Sequence, residues 1–187
     1  MSSSFAQQLL ILFTVITLIA ILLPRLLPLN ILRVTPLITS TINLMWAADE
    51  YMFLSSWLPA SYREQAQALL PLWFVTWGRM GSMVLFSSFP FSIGAGIANI
   101  LTSKDTNAES GALKWYWAGL FFTMVHFFYA PRALRLLAAI RKPPPAGNPT
   151  ESMRQWIAMH LIRVVTADAP AFLSFATAVL TAIQVVA

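Results

Sequence analysis

Met80-Gly-Ser-Met-Val-Leu-Phe-Ser-Ser-Phe-Pro-Phe-Ser-Ile-Gly-Ala-Gly-Ile-Ala-Asn-Ile-Leu-Thr-Ser103 contains no charged side chain. A helix crosses a bilayer with about 20 mostly apolar residues, whereas a membrane β-strand takes about 10 with strict alternation. The run is too long and too continuous for a strand, so it reads as a membrane helix. It extends upstream to Leu70, with Arg79 as its one interior charge. Gly94-Ala-Gly96 reads as a close helix contact rather than a phosphate loop.

Working outward, four more apolar segments share this character. Helices are expected over about 5–23, 30–58, 70–101, 113–140 and 152–187. No charge occurs before Arg25, and neither a basic leader nor an A-x-A cleavage pattern is present, so the first segment is expected to be retained. The connections are short and polar: Pro24 to Pro28, Pro59 to Gln65, Ser103 to Gly111 with strong turn composition, and Arg141 to Glu151 with a proline run that cannot be helical. Thr150 or Ser152 is expected to cap the last helix. The expected fold class is all-α: a polytopic transmembrane helical bundle, with a four-helix core plus an additional N-terminal membrane helix, forming one integral membrane domain over 1–187.

Composition points the same way. Hydrophobic residues make up 58% of the 187 residues and charged ones 10%, at a mean hydropathy of +0.68; soluble domains carry about 25% charged residues. A disordered chain is excluded. With no cysteine, so are disulfides, thiolate metal sites and cysteine nucleophiles. The net charge of +5 reads as loop charge facing anionic lipid, not as a nucleic-acid patch. The expected partners are therefore a hydrophobic small-molecule substrate and the lipid bilayer, with no nucleic acid. The expected location is a multi-pass integral membrane position, in an endomembrane such as the ER if the source is eukaryotic. Arg63, Arg132, Arg135, Arg141, Lys142 and Arg154 fall on one side of a five-span topology, against Arg25, Arg33, Lys104 and Lys114. The positive-inside rule then puts the N-terminus in the cytosol.

The buried polar residues are more informative. By parity, Asp49-Glu50, Arg79, His126, and then Trp156, His160, Arg163 and Asp168 all fall in one half of the bundle, and the opposite half is expected to be almost purely apolar. Charges in lipid normally face a bundle interior, so these residues suggest one polar pocket; the alternative for Arg163 and Asp168 is snorkelling at the headgroups. Helical spacing sets out four stripes: Asn43, Trp46, Glu50 and Trp57; Thr76, Arg79, Ser82 and Phe86; Gly119, Phe122, Thr123 and His126; Trp156, His160 and Arg163. His126, in Phe-Phe-Thr-Met-Val-His-Phe-Phe-Tyr, is a candidate general base in an aromatic wall, or a packed, hydrogen-bonded residue. Two histidines and a carboxylate could also serve a non-haem iron site. No spacing sets out its ligands, and no metal or other cofactor is expected. No H-E-x-x-H, Walker, G-x-S-x-G or G-x-G-x-x-G motif is present.

Trp115-Tyr-Trp-Ala-Gly-Leu-Phe-Phe-Thr-Met-Val-His-Phe-Phe-Tyr-Ala-Pro131, followed by Arg-Ala-Leu-Arg-Leu-Leu and later by Arg154-Gln-Trp-Ile-Ala-Met-His-Leu-Ile-Arg163, resembles the DUF1772 family of small membrane proteins. That family includes the fungal anthrone oxygenases of polyketide pathways. Pro131, Trp156 and Arg163 match its pattern, and Leu72-Trp73 to Gly78 resembles the start of its second helix. The likeness spans about 36–182 and departs at Pro131-Arg132-Ala133, where the family often has Pro-x-Asn.

The resemblance implies cofactor-independent oxygenation of an aromatic polyketide such as an anthrone. His126 or His160 would be the base, and Arg79 and Arg163 would stabilise the oxyanion, with Asp49 or Glu50 orienting them. Trp46, Trp77, Trp156, Asn43 and Thr123 would line the pocket. The alternatives are a membrane cyclase, isomerase or dehydratase, and a non-catalytic scaffold or transporter.

Overall fold

The computed structural model describes residues 3–102, 104–143 and 147–184. The expected end of the last span at 185–187 and the prolines at 144–145 lie outside the described residues. Every element among the described residues is helical: α1 (Ser3–Leu26), α2 (Leu29–Ser55), α3 (Arg63–Thr102), α4 (Lys104–Glu109), α5 (Leu113–Val125), α6 (Ala130–Arg141), α7 (Pro149–Arg163) and α8 (Ala169–Gln184). A 3₁₀ turn, His126–Tyr129, joins α5 to α6, and a π turn, Val164–Asp168, joins α7 to α8. The all-helical class read from the sequence holds.

Two stretches, Ala60–Thr102 and Pro149–Ile183, are long and apolar enough to cross a membrane, and Leu10–Leu26 is a shorter apolar helix. The helices of the other expected spans do not meet that standard among the described residues. Arg33, Asp49 and Glu50 lie along α2, and α5 reaches only Val125 before its 3₁₀ turn.

α3 is the central strut, packing against α1, α2 and α5, while α8 packs against α5 and α2, and α6 against α7. Two apolar cores result. One joins Leu54, Leu70, Phe74, Ile140, Met153 and Trp156 at the α6–α7 end. The other joins Ile100, Tyr116, Phe175 and Ala182 at the α4 end. α2, the α5–α6 segment and the α7–α8 segment each pass from one core to the other, which sets aside the zone between them.

Several boundaries differ from expectation. α3 starts at Arg63, because Pro59 and a 3₁₀ turn over Ala60–Tyr62 lead straight into it. The turn-like loop after Thr102 contains α4. The cap of α7 is Asn148, neither Thr150 nor Ser152: its side chain accepts from the Glu151 N–H at 3.0 Å, and Pro149, which has no N–H to satisfy, occupies the first turn.

The α4 end is not purely apolar either. Arg33, Asn99, Asn107 and Tyr116 are buried there. Asn99 donates to the Leu32 carbonyl at 2.8 Å, Asn107 to the Asn99 carbonyl at 3.0 Å, and Tyr116 to the Arg33 carbonyl at 3.1 Å. Short amides can pin one helix to the backbone of the next without disturbing a run of apolar neighbours, so hydropathy passes over them.

Gly119 admits the ring of Phe175. A Cβ there would lie 2.6 Å from Phe175 Cδ1 and Cε1, and Phe175 is fully buried. Gly119→Ala is therefore expected to destabilise the bundle by about 1–3 kcal/mol through overpacking, read as an earlier unfolding midpoint in denaturing detergent. An unchanged midpoint would mean that α5 and α8 are not in this contact.

Candidate active site

The zone between the two cores holds Glu50, His126, His160, Arg163 and Asp168, each less than a tenth exposed. Local backbone irregularities present two of them. Pro131 has no N–H, and its ring excludes the carbonyl four residues back, so α5 tightens into the 3₁₀ turn that begins at His126. Pro170, also without an N–H, lies in the first turn of α8, and the wider π turn just before that helix ends on Asp168.

The two meet across the bundle, with His126 Nδ1 at 2.7 Å from Asp168 Oδ1. The Phe89 ring lies 4.3 Å from the imidazole centroid and Phe127 5.7 Å. Nε2 of His126 has no hydrogen-bond partner among the described residues.

Arg163 bridges this dyad to the rest of the cluster. Its Nε lies 3.4 Å from Asp168 Oδ2, outside hydrogen-bonding geometry, and its Nη2 lies 3.3 Å from Glu50 Oε2. Nη2 is also 2.7 Å from His160 Nδ1, and His160 Nε2 is 2.8 Å from the Ala47 carbonyl. Trp156 stacks on the His160 ring at 4.8 Å with an interplanar angle of 11°. The indole of Trp46 reaches the Glu50 carboxylate from one turn earlier on α2.

With both imidazoles neutral and both carboxylates ionised, the two carboxylates face one guanidinium and the cluster carries one net negative charge. Uptake of one proton balances it. The arrangement can thus hold and release a proton at His126, with Asp168 orienting the ring and Arg163 compensating the carboxylates.

Among the residues expected to share one cavity, the structure brings together Glu50, His126, His160 and Arg163 and leaves out Arg79 and Asp49. Arg79 is exposed, along with Thr76, Ser82 and Phe86 of the same stripe. The inward face of α3 instead runs through Phe74, Gly81, Ser88, Ser92 and Asn99. Its phase is set by Gly81, where a Cβ would stand 2.9 Å from the Trp46 ring.

Asp49 and Glu50 are neighbours about 100° apart around α2, so only one can face the interior. Asp49 instead opens on a shallow groove of about 310 Å³ between α2 and α3, lined by Thr41, Ile42, Met45, Trp46 and Val84.

Trp46, Trp77, Trp73 and Trp57 form a ladder at 5.1–5.7 Å centroid spacing. Trp156 is buried against His160. Asn43 donates to Ser92 Oγ at 3.2 Å and accepts from Ser88, and Thr123 donates to the Gly119 carbonyl at 2.7 Å. Both side chains thereby have hydrogen-bond partners within the bundle.

Asp168 was undecided between pocket and headgroup in the sequence, and its position in Ala-Asp-Ala-Pro170, two residues before a proline in an apolar segment, was the available signal. Among the described residues, no three His, Asp or Glu side chains are arranged to hold a metal ion. Arg79→Gln is expected to leave stability within about 0.5 kcal/mol and turnover within about twofold; a large loss of turnover would put Arg79 back in the reaction.

Fold and site together define a small all-helical protein built around an internal cluster of two histidines, two carboxylates and one arginine. By comparison with known proteins, the chain belongs to a family of fungal epoxidases. It is 40% identical over 154 residues to the "Probable epoxidase scpX" of Mollisia scopiformis, which covers 82% of this chain and 97% of that protein. It is 38% identical to the "Epoxidase pydX" of an Acremonium species over 84% of this chain and 97% of that one. It is 32% identical to the "Epoxidase gkaX" of Penicillium citrinum over 82% and 96%. No family model matches the chain, and no solved structure does. These relatives agree with the biosynthetic oxygenase character that the DUF1772 resemblance implies, and none of their names mentions an anthrone.

Proposed function

We propose that the protein is a multi-pass membrane oxygenase of a biosynthetic pathway that epoxidises a carbon–carbon double bond in an apolar small molecule. The buried His126–Asp168 dyad with its open Nε2, in a chain of the epoxidase family, carries this reading. Epoxidation by O₂ places one oxygen atom on the alkene and the other in water, and consumes two protons and two electrons from an external reductant. The dyad and its charge-balancing Arg163 supply the proton transfers, in a site walled by Phe89 and Phe127. The groove beside Trp46 is the entry for an apolar molecule dissolved in lipid.

The distribution of side chains supports the membrane setting. Glu50, Arg163 and Asp168 are buried, while Phe128 is 82% exposed, Leu72 74%, Met83 68%, and Leu180 and Phe86 64%. Such an apolar exterior is stable against lipid and costly in water.

The DUF1772 resemblance suggests a second reading on the same dyad. Nε2 removes a proton from the acidic CH₂ of an anthrone, and the resulting carbanion itself reduces O₂. One experiment tests both. Membranes holding the protein are supplied with ¹⁸O₂, a reductant and either a long apolar polyene or an anthrone. One ¹⁸O atom gained by the polyene as an epoxide is the expected result. Quinone formation from the anthrone without added reductant would favour the second reading, and no incorporation into either substrate would favour a cyclase, isomerase, dehydratase or non-catalytic role.

A further inference from the structure

We infer that the two histidines do opposite jobs: His126 exchanges the proton, and His160 is a positioning residue whose Nδ1 lone pair fixes the Arg163 guanidinium between the two carboxylates. The inference rests on the proposed site and deepens it by removing one of two candidate bases.

Hydrogen-bond polarity forces the assignment. A backbone carbonyl only accepts, so the 2.8 Å contact with Ala47 places the His160 proton on Nε2. A guanidinium only donates, so the 2.7 Å contact with Arg163 Nη2 requires a lone pair on Nδ1. A second proton on His160 would set N–H against N–H at that distance. The one acceptor that could receive it, Glu50 Oε2, is 3.5 Å away and already engaged by Arg163 at 3.3 Å. Arg163 cannot withdraw freely, because Asp168 faces its Nε at 3.4 Å. Trp156 covers the ring face, and His160 is fully buried.

His126 is the converse case. Asp168 accepts at 2.7 Å, so the proton lies on Nδ1 and Nε2 keeps its lone pair. His160 also ties α7 to α2 through Ala47, and it stands three residues before Arg163 on the same face of α7, which holds the guanidinium in register with both carboxylates.

The test uses the full chain labelled with [¹⁵N]histidine in lipid nanodiscs. The sequence has two histidines, so His160→Gln assigns the spectrum. His160 is expected as the Nε2–H tautomer throughout about pH 5–8, the window in which an ordinary histidine titrates, and His126 as the Nδ1–H tautomer. A His160 resonance that titrates in that window, or shows the Nδ1–H form, overturns the inference.

Turnover adds a second readout. The glutamine amide can donate to Ala47 and accept from Arg163 but cannot exchange a proton. His160→Gln should keep turnover within about tenfold with the same pH profile, and His160→Leu should lose about a hundredfold. A folded His160→Gln as inactive as His126→Ala overturns the assignment. If instead His126→Ala keeps full turnover, the proposed site and the role given to His126 both fail, while the His160 assignment is judged separately by its tautomer, so the two failures are distinct.

Discussion

His126→Ala is expected to lower turnover per folded molecule by about 10²–10⁴-fold, the usual cost of losing a positioned proton-transfer group. The side chain is buried, but its packing is modest, with Phe89 and Phe127 on its flanks and a single hydrogen bond at Nδ1. Truncation should therefore cost about 1–3 kcal/mol, too little to remove the protein from the membrane. Asp168→Asn keeps the shape and removes the charge that orients the imidazole and balances its protonated form, so a loss in the same range is expected. If His126→Ala and Asp168→Asn both retain near-normal turnover while folded, the dyad is not part of the reaction, and Glu50 becomes the remaining buried acid or base. The quantity to compare is turnover normalised to folded protein, which separates lost chemistry from lost molecules.

The largest effect on stability is expected from Arg163→Ala. Removing one partner of a buried ion pair leaves an uncompensated charge and costs about 3–5 kcal/mol. Here Glu50 and Asp168 both lose their cation, and His160 loses its donor. The variant should unfold well below the parent in denaturing detergent and accumulate poorly in membranes. Combining Arg163→Met with Glu50→Gln and Asp168→Asn removes all three charges at once and should recover much of the loss, because neutral groups of similar shape need no counter-charge. A variant Arg163→Ala as stable as the parent would show that the carboxylates are solvated or neutral in the folded protein, and the charge balance described for the site would be wrong.

The sequence was enough to establish helices, because long uncharged runs interrupted by polar turns admit no other regular structure. Parity along the chain also carried Glu50, His126, His160 and Arg163 to one zone of the bundle before any coordinates. What it could not supply was phase. A stripe such as Thr76, Arg79, Ser82 and Phe86 has the same helical period as the inward face of α3, and only the seat of Trp46 over Gly81 shows which side is inside. The same limit held for Asp49 and Glu50, adjacent in sequence and separated by a rotation about the axis of α2. Nor could spacing tell the histidines apart. His160 is bound by Ala47, 113 positions away, and His126 by Asp168, 42 positions away. Which nitrogen of each ring carries the proton is set by those distant groups, since the tautomer of an imidazole is fixed by the donors and acceptors that surround it. The sequence by itself thus determined that the protein is helical and that it concentrates its buried charge in one zone. Tertiary packing alone decided which of those charges meet, and which partners each imidazole finds.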